Sequence, residues 1–131
     1  MNFREDDEVR AIFIEETKTH LISLENGVLQ LEQQPDRFNQ TVVDSLFRAA
    51  HSIKAAANLL GYKNIEGLTN ALENILDQFR RQKRILTIAG ADHFLEAVDT
   101  IREMIMVIQY SDEIDISPLM NKLKQFSKSE N

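Results

Sequence analysis

The chain has 131 residues, 43% of them hydrophobic, with four Gly, two Pro, no Cys and no Trp; this supplies one core, favours helices and gives no basis for a disulfide framework or a cysteine-rich metal site. Fifteen Lys and Arg against 21 Asp and Glu leave a net charge of −6, which argues against nucleic acid as a partner. No run approaches the ~20 apolar residues of a membrane span, and the acidic start from Met1 to Glu8 lacks the basic and apolar blocks of a signal peptide, so a single cytoplasmic domain over residues 1–131 is expected.

Apolar residues recur at steps of three and four along the whole chain and never at steps of two, which predicts helices throughout. The first runs over residues 7–33, with Val9, Phe13, Leu21, Leu24, Val28 and Leu31 on one stripe, and ends before the breaker pair Pro35-Asp36. The second covers 41–60. Thr41 and Asp44 have capping-box spacing, Val43, Leu46, Ala50, Ile53, Ala57 and Leu60 form its seam, and Gly61 closes it as a left-handed cap. The third covers 65–84 after Asn64 as N-cap, with Ile65, Leu68, Leu72, Ile75 and Phe79 as its seam. Arg80, Arg81, Lys83 and Arg84 fall at its C-terminal end, where the helix dipole favours cations.

A fourth helix over 88–110 carries Ala91, Phe94, Val98, Ile101, Ile105 and Ile108. A fifth over 118–127 has Ser117 as N-cap and Pro118 in its first turn, and carries Leu119, Leu123 and Phe126. The tail from Ser127 to Asn131 reads as the frayed start of a linker. The fold expected is all-α, an up-down four-helix bundle with an additional C-terminal fifth helix.

Bundles serve many functions, so the side chains beside the seams must decide. The segment Phe47-Arg48-Ala49-Ala50-His51-Ser52-Ile53-Lys54 places a histidine one position past Ala50, at the half-exposed edge of the buried stripe, with Lys54 one turn later. Ala55, at plus four, is too small to cover the imidazole. The short link near Tyr62 makes the second and third helices antiparallel, with facing residue numbers that sum to about 124. His51 then faces Glu73, Lys54 faces Asn70, and Asn58 faces Glu66. A carboxylate that accepts from one ring nitrogen fixes the tautomer and leaves the other nitrogen as a nucleophile, with Lys54 placed to offset phosphoryl charge. No P-loop or Gly-rich loop is present to bind ATP.

The segment Phe-Arg-Ala-Ala-His-Ser-Ile-Lys resembles the phosphorylation-site helix of the histidine phosphotransfer (HPt) domain that heads kinases of the chemotaxis CheA family. Leu68-Thr69-Asn70-Ala71-Leu72-Glu73-Asn74-Ile75-Leu76-Asp77 is similar to that family's third-helix motif, in which a glutamate hydrogen-bonds the histidine. The resemblance implies His51 as phosphoacceptor, Glu73 as its orienting carboxylate, Lys54 as the basic neighbour, and Asn70 as a further polar neighbour. It implies an N-terminal piece of a longer two-component signalling kinase, in which a separate ATP-binding kinase domain donates the phosphoryl group and an aspartate of a CheY-like response regulator receives it. ATP and Mg²⁺ would sit on those partners, with no cofactor on this chain. Ala55-Ala56 stands where the family commonly has Gly-Gly, and Asn70 where CheA often has a second histidine.

Two other classes compete. One is a non-catalytic helical adaptor that retains the fold, with His51 incidental. The other is a di-iron bundle, which needs Glu-x-x-His on two helices, and no Glu-x-x-His occurs. His20 and His93 read as structural or surface residues, and Met104, Met106 and Met120 as packing.

Overall fold

The computed structural model describes residues 3–82 and 85–129, with side chains through Ser127 at the C-terminal end. A 3-10 turn at Phe3–Glu5 precedes helices α1 (Asp7–Glu32), α2 (Gln40–Leu60), α3 (Lys63–Gln82) and α4 (Ile88–Met106). A 3-10 segment at Ile108–Glu113 then leads into α5 (Ser117–Ser129), and no strand occurs among the described residues. Helices α1 to α4 pack as neighbours around the bundle, and α5 lies across α3 and α4. Alternating direction follows from the short links, and Arg102 with Glu25, 2.8 Å apart, joins α4 to α1. No helix among the described residues is long and apolar enough to cross a membrane.

The expected seams are the core. Every apolar position named on the second to fifth helices is buried, as are Phe13, Leu21, Leu24 and Val28 on α1, while Val9 and Leu31 are partly buried against them. The helix ends differ more. Asn39, not Thr41, caps α2 by accepting from the Val42 amide at 3.1 Å, and Asp44 receives the Gln40 side chain at 2.8 Å. The chain emerging from the Pro35 turn brings Asn39 into the extended conformation that a cap requires. Asn64 lies inside the first turn of α3. Its amide group donates to the carbonyls of Ser111 (3.0 Å) and Ile114 (2.7 Å), which ties α3 to the 3-10 segment. The fourth helix ends at Met106 rather than at residue 110, because the chain tightens into 3-10 geometry that brings Asp112 over the start of α3. Ser117 is the first residue of α5 rather than its cap; the Asp115 carboxylate accepts from the Ser117 amide at 3.0 Å. That bond holds the Asp115 carboxyl below the usual carboxylate range. The expected end of the third helix, Lys83 and Arg84, lies outside the described residues. Ser127 is helical and accepts from Gln78 at 2.7 Å, so the chain is not a linker there.

The α2–α3 link sets the register of the site. Gly61 adopts φ 78° and ψ 23°, the left-handed conformation that a Cβ disfavours. Its amide bonds Asn58 O at 3.2 Å and the Tyr62 amide bonds Ala57 O at 2.9 Å, the paired pattern of a Schellman end. Tyr62 is buried against Phe13 (ring centroids 5.2 Å apart), and the Arg4 guanidinium lies 4.5 Å from its ring centre. Arg4 also donates to Gly61 O at 2.9 Å and to Asp112 at 3.1 Å, and Asp112 accepts from the Asn64 amide at 3.1 Å.

The Tyr62 hydroxyl has no hydrogen-bond partner among the described residues. Burial pushes its pKa above 10.0. The folded state therefore holds this proton more tightly than the unfolded chain, and that stabilisation is complete below 10.0 and is lost as pH rises above it. Tyr62→Phe keeps the ring contacts and removes an unsatisfied group, so urea unfolding at neutral pH should show stability unchanged or raised by about 1 kcal/mol. Above pH 10.0 the variant should hold its stability better than wild type. A neutral-pH loss of more than about 1 kcal/mol would mean that the hydroxyl is bonded.

Candidate functional site

Residues on the facing flanks of α2 and α3 form one polar row. Ala50 and Ile53 are buried, so His51 stands at the edge of the buried stripe, with its side chain 58% exposed. Glu73 on α3 is only 13% exposed, and its Oε2 lies 3.3 Å from His51 Nδ1. Lys54 Nζ, one turn on, lies 3.1 Å from Oε1 and 3.0 Å from Oε2 of the same carboxylate. Asn58 donates to Glu66 one turn further. The register expected from the short link is thus observed for His51 with Glu73 and for Asn58 with Glu66.

Lys54 departs from it. Its stem reaches past Asn70 to Glu73, as a charge-assisted bond to a carboxylate is stronger than one to an amide. Asn70 is exposed, makes no hydrogen bond among the described residues, and lines a shallow cleft with Lys54, Ala55, Asn58, Glu66 and Gly67. It neighbours Lys54 in that cleft, whose lining does not include His51.

An ionised carboxylate can only accept, so its bond to His51 puts the proton on Nδ1 and leaves the lone pair on Nε2. The lysine sharing Glu73 balances its charge in a partly buried position. In its neutral form the ring is therefore held as the Nδ1–H tautomer, and the free nitrogen belongs to an open ring, the chemistry of a nucleophile. No group of three His, Cys, Asp or Glu side chains among the described residues could hold a metal ion.

One neighbourhood is absent from the sequence reading. Phe47 stacks on His51, with ring planes 12° apart and centroids 6.3 Å apart, and the Arg80 guanidinium lies 4.1 Å from the Phe47 ring centre. Arg80 donates to Asp77 at 2.7 Å and Arg81 to the other Asp77 oxygen at 3.0 Å. The Arg80 bond, with Arg81 adding to it, holds the Asp77 carboxyl below the usual range. Arg80 is thus more than a complement to the helix dipole. The register rule could have found it, since Phe47 falls opposite Asp77 and Arg80 is one turn beyond. Elsewhere, His93 meets the edge of Phe126 (centroids 6.2 Å apart), His20 is half-buried, Met104 is buried, and Met106 is 78% exposed and so not core packing.

The family model of the Hpt domain matches residues 8–104, and the chain belongs to that family. Within it, the likeness is to CheA. The chemotaxis protein CheA of Halobacterium salinarum is 32% identical over 110 residues, 84% of this chain and 16% of that protein. The CheA phosphotransferase domain from Thermotoga maritima superposes with a TM-score of 0.72 at 33% identity, covering 77% of this chain and 94% of that one. The fold is also that of the phosphorylated P1 domain of CheA3 from R. sphaeroides, solved in complex with CheY6, with a TM-score of 0.81 at 22% identity over 95% of this chain and 99% of that one. The chain spans less than a fifth of the length of the curated relatives it matches.

The tautomer is directly measurable. Long-range ¹⁵N–¹H NMR of the imidazole should find His51 with its proton on Nδ1 in the neutral form, and Glu73→Ala should shift it toward Nε2–H. An Nε2–H ring in wild type would rule out the bond to Glu73.

Proposed function

We propose that residues 1–131 form one phosphotransfer domain at the head of a longer CheA-type kinase in the cytoplasm, and that His51 is its phosphoacceptor. The observation that carries this is the half-exposed imidazole bonded through Nδ1 to Glu73, on a chain of the Hpt family. In the reaction, the Nε2 lone pair attacks the γ-phosphorus of ATP held by a separate kinase domain; the N–P bond forms as the bond to the β,γ-bridging oxygen breaks, and ADP leaves. Nδ1 keeps its proton, and Glu73 stabilises the positive charge that develops on the ring. A carboxylate oxygen of a CheY-like response regulator then attacks the same phosphorus and releases Nε2 with its lone pair. ATP and Mg²⁺ belong to the partners, and this chain supplies a rigid, correctly protonated nucleophile.

Lys54 acts on charge. In the unphosphorylated site it offsets Glu73; a phosphoryl group on Nε2 adds further negative charge beside it, and the flexible ammonium can turn toward those oxygens. Asn70 contributes to the cleft beside Lys54 and not to the bond chemistry.

With a CheA-type kinase domain and ATP, the chain should acquire acid-labile, alkali-stable phosphate, absent in His51→Gln. Glu73→Ala should stay folded by circular dichroism yet take up phosphate roughly ten- to hundredfold more slowly, the loss expected for a hydrogen bond to a charged group. Wild-type rates in that variant would remove Glu73 from the mechanism. No labelling by any CheA-type kinase would leave the chain a helical adaptor.

A further inference from the structure

Glu73 alone does not fix the imidazole. A single hydrogen bond of 3.3 Å to a ring that is 58% exposed leaves the ring free to pivot about that contact. The second contact comes from Phe47, one turn earlier on α2, whose ring is within 12° of parallel to the imidazole. Phe47 is held in turn from α3, by the Arg80 guanidinium 4.1 Å from its ring centre, and Arg80 is fastened to Asp77 at 2.7 Å. A bare Asp77–Arg80 pair one turn apart would contribute little at a surface. Here the guanidinium is 35% exposed and lies over an aromatic face, where its charge and its planar shape both count.

We propose that Arg80 is a positioning residue for His51, acting through Phe47. Asp77 holds Arg80, Arg80 holds Phe47, and Phe47 fixes the plane of the imidazole whose Nδ1 is fixed by Glu73. The proposal rests on His51 being the phosphoacceptor for its consequence in rate, though not for its consequence in ring orientation. Arg80 touches neither the phosphoryl group nor the reacting nitrogen.

Two readouts test it on this chain: the ¹⁵N and ¹H signals of the His51 imidazole, and the kinetics of phosphorylation by a CheA-type kinase domain and ATP with this chain as the varied substrate. In Arg80→Ala the His51 ring signals should move and the Nδ1–H share should fall. Its kcat should drop about two- to fivefold at unchanged KM, the size of an exposed cation–π contact. Arg80→Lys should recover only part of that, because it restores charge without the planar stack. Lys63→Ala, which removes an exposed cation at the far end of α3 from the Asp77 cluster, should match wild type in both readouts. In a Phe47→Leu background, Arg80→Ala should have no further effect.

Imidazole signals in Arg80→Ala identical to wild type would overturn the proposal, as would full rescue by Arg80→Lys or an undiminished Arg80→Ala effect in the Phe47→Leu background. A rise in KM alone would also overturn it, by assigning Arg80 to docking. If the imidazole signals move while wild type takes no phosphate from any CheA-type kinase, the positioning role stands and the phosphoacceptor reading fails.

Discussion

Everything at the site depends on the register of α2 against α3. A slip of one residue on either helix rotates its side chains by about 100° and shifts them about 1.5 Å along the axis, enough to remove Glu73 from His51. That register is fixed at the bundle end by the left-handed turn at Gly61 and by the burial of Tyr62 beside it. Tyr62 lies 11 positions from His51, roughly 15 Å along the helix. The Arg4–Asp112–Asn64 bonds add the chain start and the 3-10 segment to the same knot, so three separate stretches converge on the turn. The polar row then needs only His51 and Lys54 from α2 to meet Glu73 of α3, because the hairpin has already aligned them.

Burial is divided unequally across the row. Glu73 is 13% exposed and His51 58% exposed, which suits the proposed roles of a fixed carboxylate and an imidazole that meets a partner. Lys54 stands between them at 27%. A partly buried carboxylate without a cation would be costly, and a fully buried imidazole could not be reached. Lys54 resolves the first problem without causing the second, since its ammonium reaches the carboxylate while the His51 ring stays 58% exposed. The same lysine is then already beside the place where negative charge would arrive.

The sequence pattern revealed what depends on periodicity and little of what depends on competition between partners. Seams such as Val43 to Leu60 and Ile65 to Phe79 followed directly from apolar spacing, because a helix can bury only one stripe. The His51–Glu73 pair followed from one short link and antiparallel geometry. Caps were harder. Thr41, Asn64 and Ser117 are all competent capping residues, and the outcome at each was decided by groups distant in sequence or by a neighbour with equal ability: Asn39 for α2, Asp112 for α3 and Asp115 for α5. Lys54 likewise had two acceptors within reach, and pairing arithmetic gave it the amide where charge gave it the carboxylate. Arg80 was hidden because its charge had a sufficient local explanation at the helix end.

The pair Ala55-Ala56, where CheA-like domains commonly carry Gly-Gly, bears on how the site stays both open and stiff. Each alanine in a helix interior is favoured over glycine by about 1 kcal/mol, so α2 gains rigidity directly after the row of functional groups. Ala56 is half-buried against the core, and its methyl contributes packing that a glycine could not. Ala55 is exposed and faces the cleft beside Lys54, where an added methyl narrows the approach. Across that cleft, Gly67 on α3 has no Cβ, and one added there would meet nothing within 4 Å. The open space therefore does not depend on α2 being bare, because the facing helix supplies it. Ala55 narrows the cleft from one helix while Gly67 leaves it open on the other, and the stiffness gained lies one turn from His51.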